Sequence, residues 1–405
     1  MDARIGAVAA LGLALVFGLT PASAGSRARG ARPPVVIGGI TYPCTLAYPD
    51  GKFTELCRID LVGEEPDINT ISSDKRAKSD PAWSPDGTRL VYVQGANALY
   101  VRDVWQRTCE CFPSWIGHVH HIATGREPTW APNGKFLAYS TAGGDINVVD
   151  ETGKRPRKLT GNGAEPSWSS RGQIAFVRAG AVWRMSATGK SPRSLGPGSD
   201  PAWAPSGKQL AFSYQGDIWT MNANGGVRKK LTKTPSVDEA KPSWAAGGKQ
   251  LAFAGTPAGG GPVVLYVDKL GHGISAITVG DGNYESPFAS ASVSWQKVRM
   301  IVPTISDRRP YVTLRDGYGH RLSTIPAGVF DFAYVDHSRR RGFAWSLGLE
   351  GRVGTVTIKE MGVFWPAVGH DEAYGELRML KPQVVKYWDV AHKNVRGSFR
   401  VVDKP

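Results

Sequence analysis

Asp200-Pro-Ala-Trp203-Ala-Pro-Ser-Gly207-Lys-Gln-Leu-Ala-Phe212 decides the fold, because the chain repeats its pattern. The other full copies run from Asp80-Pro-Ala-Trp83 to Tyr92, Glu127-Pro-Thr-Trp130 to Tyr139, Glu165-Pro-Ser-Trp168 to Phe176 and Lys241-Pro-Ser-Trp244 to Phe253. A sixth, Val293-Ser-Trp295, lacks both the Pro and the Gly turn. Successive tryptophans stand 35 to 51 residues apart, the period of a four-stranded propeller blade. Within a copy, Pro opens a strand, where its missing N–H is tolerated, and Pro-Asp-Gly or Pro-Ser-Gly turns it. Leu-Ala-Phe is then a short apolar strand of the kind buried on both faces. Gly216-Asp-Ile-Trp-Thr-Met221 gives a third strand, an Asn-Gly or Thr-Gly turn follows, and a basic strand such as Arg228-Lys-Lys-Leu-Thr232 completes the unit. No stretch carries helical periodicity.

The pattern predicts an all-β chain, a β-propeller of four-stranded blades. Tyr334–Trp345 with Gly354–Lys359 imitates a further unit, so the expected count is seven blades, with six or eight open. The expected organisation is a signal peptide at 1–24, a basic flexible leader at 25–40 and a single propeller at 41–405. Glu55–Glu64 and Ile68–Ile71 read as the outer strands of a blade without inner ones. Pairing 55–71 with C-terminal strands would close the ring and remove a free edge.

This repeat resembles that of the TolB-like propellers, which also occurs in the non-catalytic propeller of prolyl oligopeptidase-type peptidases. The resemblance covers roughly residues 80–280. It implies the fold and does not fix an activity. The stretch before Asp80 is too short for the α/β domain that precedes the propeller in TolB itself.

Arg4, the apolar run Ile5–Leu19 and the small residues Ala22-Ser-Ala24 predict export with cleavage after Ala24, placing the protein in the periplasm or outside the cell at the envelope. A formal net charge of +14 over 405 residues favours an anionic envelope component or a protein partner and at most peripheral membrane contact. Export argues against nucleic acid. Lys154–Lys158, Arg228–Lys230 and Arg339–Arg341 carry much of the charge and read first as solvated blade edges, second as a binding patch. A monomer is expected.

Cys44 and Cys57 flank a hairpin turning at Asp50-Gly51, which would set them opposite one another for a disulfide; a turn begun at Pro49 would shift that register. Cys109 and Cys111 lie in an insert, Val104–Gly125, with His118, His120 and His121. Thiolate and imidazole suit zinc or copper, but the spacing fits no standard site, and a Cys-x-Cys disulfide beside solvated histidines is the bland alternative. Trp105, Phe112 and Trp115 make the same insert either a partner surface or a loop folded back on its blade.

An acid precedes the Pro in four copies, Asp80, Glu127, Glu165 and Asp200, and Glu239 stands near the fifth. These carboxylates either ring a channel mouth and hold a cation or basic segment, or tie each blade to the next. No Gly-x-Ser-x-Gly elbow occurs and no catalytic residue is assigned. The expectation is a non-catalytic binding module without a resident cofactor. The alternative is a metal-assisted polysaccharide lyase or glycosidase with a cation in the channel or the insert.

Overall fold

The computed structural model describes residues 39–60, 67–103, 118–258, 264–268, 274–277, 292–295 and nine strands between 299 and 402. Among these residues every regular element is a strand. Five four-stranded antiparallel sheets each use one contiguous repeat. Blade 1 is Lys78–Trp83, Arg89–Gln94, Ala98–Asp103 and Val119–Thr124; blade 2 is Arg126–Trp130, Phe136–Ser140, Ile146–Asp150 and Arg157–Thr160. Blade 3 is Ala164–Trp168, Gln173–Arg178, Ala181–Ser186 and Arg193–Pro197. Blade 4 is Ser199–Trp203, Gln209–Tyr214, Asp217–Asn222 and Lys229–Lys230; blade 5 is Val237–Trp244, Leu251–Pro257, Val264–Asp268 and Ile274–Ile277.

The turn chemistry is as the repeat dictates. In blade 4 the Gly207 N–H donates to the Ala204 carbonyl at 2.8 Å, with Gly207 at φ 64°, so Ala-Pro-Ser-Gly closes a tight turn. The strand after it explains the Leu-Ala-Phe signature. Leu210 and Phe212 pack back onto Ala175 and Val182 of blade 3, and Ala211 faces forward onto Trp244, Leu251 and Phe253 of blade 5. Alternate side chains serve opposite neighbours, and the small Ala leaves room for the next blade's aromatic residues.

A sixth four-stranded sheet is composite, in the order Ser294–Trp295, Ile40–Tyr48, Gly51–Asp60, Asp67–Thr70. Its Ile40, Tyr42 and Trp295 pack on Ala245 and Ala252 of blade 5, while its Leu56 and Ile71 pack on Trp83, Leu90 and Tyr92 of blade 1. The Trp83 indole Nε1–H also donates to Thr41 Oγ1 at 2.9 Å. The ring therefore closes through this sheet. Residues within 55–71 are the outer strands of this sheet, and their inner partners are Ile40–Tyr48 and the sixth Trp motif. The Trp295 copy lacks its Gly turn because its second strand arrives from the N-terminal side, so there is no turn to make.

The seven-blade expectation is not what the described strands show. Gly328–Asp336, which contains the start of the supposed seventh unit, pairs in parallel with Arg299–Ile305 in a sheet that also holds Val312–Asp316 and Glu372–Met379. Thr324–Pro326, Arg396–Val402, Gln383–Asp389, Ser346–Val353 and Val356–Phe364 form a five-stranded sheet with another parallel pair. A blade is an antiparallel meander, and parallel neighbours require crossovers.

The Cys44–Cys57 disulfide is present, with Cα atoms 5.7 Å apart and both residues fully buried. The register differs from the one expected. Tyr48 pairs with Gly51, so Pro49-Asp50 is the loop, and Cys44 lies opposite Glu55 while Cys57 lies opposite Tyr42. The bond is diagonal across the hairpin. No described helix is long and apolar enough to cross a membrane.

Candidate functional site at the channel mouth

The first strands of consecutive sheets contact one another around the ring, so they line its centre. In blades 1–5 the first strand carries a bulge around the residue before Pro, where the pairing register shifts. Asp80, Glu127, Glu165, Asp200 and Lys241 all take positive φ there, between 48° and 54°. Pro disfavours the right-handed helical region for its predecessor and donates no ladder hydrogen bond, so the kink recurs at the same place in every copy.

The kink lets Glu127 and Glu165 reach the next blade. Glu127 Oε2 accepts the Glu165 N–H at 2.7 Å and the Ser140 hydroxyl at 2.8 Å, and Glu165 Oε2 accepts the Asp200 N–H at 2.5 Å. One blade's carboxylate thus satisfies the next blade's bulged amide. At the closure Ser292 Oγ substitutes, accepting the Asp80 N–H at 3.3 Å. A second chain of bonds runs one step deeper. The hydroxyl of the residue before each Trp accepts the following Trp N–H in Trp168 to Thr129, Trp203 to Ser167, Trp295 to Ser243 and Trp83 to Ser294. The inter-blade alternative is therefore real for Glu127 and Glu165.

The same carboxylates form an electrostatic cluster. Lys241 occupies the fifth acid's position and its Nζ lies 3.5 Å from Asp200 Oδ1. Burial works against its ammonium, but Asp200, Asp80, Glu127 and Glu165 outweigh it and raise the Lys241 pKa. Burial and then the negative Asp200 push the Glu165 carboxyl up to about 7, against the opposing Asp200 N–H and Lys241. Sequence reasoning missed Lys241, although its place before Pro242 was the available signal.

Glu239 is not part of this cluster. It is buried two residues earlier, where its carboxylate accepts the Ile218 N–H at 3.2 Å and the Thr232 hydroxyl. Burial raises its pKa, with Thr232, Thr234 and the Ile218 amide opposing. It seals the junction of blades 4 and 5.

The insert is only partly described. Cys109, Cys111, Trp105, Phe112 and Trp115 lie outside the described residues. His118, His120 and His121 are exposed on or beside the outermost strand of blade 1; His120 Nε2 is 3.0 Å from the Glu151 carbonyl, and the His121 ring meets Tyr100 edge-on at 5.4 Å. Among the described residues no group of three or more His, Cys, Asp or Glu is placed to hold a metal.

The repeat, the sheet order and the closed ring define the class, a β-propeller with TolB-like repeats. No protein-family model matches the chain. An uncharacterized peptidase of Bacillus subtilis, YuxL, is 29% identical over 110 residues, which is 24% of this chain and only 17% of the length of that protein. TolB from Acinetobacter baumannii superposes on 64% of this chain and 67% of its own, at 20% identity and TM-score 0.49. A TolB from Agrobacterium tumefaciens matches 65% of this chain and 99% of its own, at 16% identity and TM-score 0.47.

Proposed function

We propose that the protein is an exported, non-catalytic binding module of the cell envelope that takes a cationic segment of a protein partner at the channel mouth. The observation that carries this is the ion pair of Lys241 Nζ with Asp200 Oδ1 at 3.5 Å, at a position where Asp80, Glu127 and Glu165 stand in the other first strands. The mouth already holds one cation, and even with the Glu165 carboxyl half-protonated near pH 7 the acids outnumber that lysine and leave negative charge to attract another. Export rests on Arg4, the Ile5–Leu19 run and Ala22-Ser-Ala24, and a buried disulfide suits an oxidising compartment. A metal-assisted polysaccharide lyase would gather histidines with the acids, and among the described residues His118, His120 and His121 lie on the outer edge of blade 1 instead.

The test is fluorescence anisotropy with a short labelled Lys/Arg-rich peptide. The pair Asp80→Asn with Asp200→Asn is expected to weaken binding about tenfold or more, and Lys241→Gln, which removes the internal competitor, to tighten it severalfold. Unchanged affinity in both would reject the mouth as the site.

A further inference from the structure

Because each blade is an antiparallel meander, the ring has two chemically distinct ends. The acid-Pro bulges and the turns between second and third strands lie at one. The turns between first and second strands, and between third and fourth, lie at the other, where the Trp residues end the first strands. Six exposed cations lie at this second end: Lys135 and Lys208 on first turns of blades 2 and 4, Lys154 and Arg155 on the outer turn of blade 2, and Lys190 and Arg193 at that of blade 3. Their neighbours Lys158 and Lys230 are matched by Asp145 at 2.7 Å and Asp217 at 2.6 Å, as solvated blade edges should be. None of the six takes part in an ion pair among the described residues, and only Arg155 is near enough to a carboxylate, that of Asp150, to help lower its pKa.

A second observation falls at the same end. Among the described residues of the ring, the large hydrophobic side chains left exposed are Val119, Phe136 and Val227, at 42%, 36% and 81%. Val119 opens the fourth strand of blade 1, Phe136 opens the second strand of blade 2, and Val227 sits on the outer turn of blade 4 at φ 53°. A β-branched residue in a left-handed conformation with most of its surface in water contributes nothing to the folded ring.

We infer that the Trp end of the propeller docks on an anionic lipid headgroup layer, the cations meeting phosphates and the apolar tips entering the interface. Cations spread over separate blade tips match a plane of charge better than a single polyanion strand lying in a groove. The interleaved apolar tips fit a lipid boundary and gain nothing from a hydrated polymer. The site is independent of the acidic mouth, which it would leave facing away from the membrane.

Co-sedimentation of the full chain with phosphatidylcholine vesicles, with and without phosphatidylglycerol, tests this. Binding is expected only with phosphatidylglycerol, and it should fall steeply as salt rises. Each basic residue near a charged surface changes partitioning by about fivefold, so Lys154→Glu, Arg155→Glu and Lys190→Glu together should lower it about a hundredfold or more. Val227→Ser should lower it severalfold at unchanged charge, and Asp80→Asn with Asp200→Asn should leave it intact. Equal binding to both vesicle types, or wild-type binding by the triple variant, overturns the proposal. So does capture of soluble polygalacturonate through the same lysines with no effect of Val227→Ser. Should the triple variant fail to fold, the wild-type salt dependence and Val227→Ser decide.

Discussion

At the scale of single residues, the position before Pro carries both architecture and chemistry, and Glu165 shows how they conflict. It must accept the Asp200 N–H to join two blades, yet burial, and then the Asp200 carboxylate beside it, raise its pKa from 4.5 to about 7. A carboxyl whose folded pKa is raised binds more protons folded than unfolded between those values. Stability should therefore be full below about pH 4.5 for this group and decline as pH rises towards and through 7, by at most about 3 kcal/mol in all. Glu165→Gln should flatten that part of the profile, as read by denaturant midpoints at pH 5, 6, 7 and 8; a wild-type profile without the decline would reject the assignment. The same ionisation adds negative charge to the mouth, so peptide binding should be tighter at pH 8 than at pH 6. The recurrence of the acid was legible in the sequence because it is periodic. That Lys241 substitutes as the resident counter-charge was not, since a single departure from a repeat reads as drift until the positions are seen to face one another.

At the scale of elements, the hairpins were legible and their neighbours were not. Gly189 in the outer turn of blade 3 was expected as a hairpin glycine, and its φ of 82° agrees. Its second constraint is a close approach: a Cβ there would lie 2.5 Å from the Leu159 carbonyl oxygen of blade 2. Gly189→Ala therefore meets both backbone strain and a clash between blades, and should cost about 2 kcal/mol or more in chemical denaturation. A cost below about 0.5 kcal/mol would mean that the blades part easily. The Cys44–Cys57 hairpin makes the complementary point. Sequence identified the pair, but register depends on which two residues form the loop, and Pro49-Asp50 was chosen over Asp50-Gly51. Since the bond closes a span with a sequence separation of 13, Cys44→Ser with Cys57→Ser should cost about 3 kcal/mol. Comparing denaturant midpoints of the oxidised protein with and without reductant measures that loss directly, and coincident curves would show that the bond contributes nothing.

At the scale of the whole molecule, ring closure rests on the least conspicuous copy of the repeat. Ser294–Trp295 is a two-residue strand, yet it pairs with Ile40–Tyr48, and Trp295 is only 3% exposed against blade 5 and the composite sheet. Ser292 and Ser294 meanwhile take the Asp80 and Trp83 amides of blade 1. Local propensity could not reveal this, because the partner strand is some 250 residues away and the Gly turn that marks other copies has no function here. Trp295→Ala should destabilise the ring by about 3–5 kcal/mol, as large as the same change at Trp203 in an intact repeat. A chain ending at residue 298 should keep a cooperative tryptophan-fluorescence melt. One ending at 291 should lose it, since Ile40–Tyr48 becomes an open edge and blade 1 loses its inner hydrogen-bond acceptors. If the chain ending at 291 melts like the one ending at 298, closure does not depend on the sixth motif, and the composite sheet holds the ring through blade-to-blade packing alone.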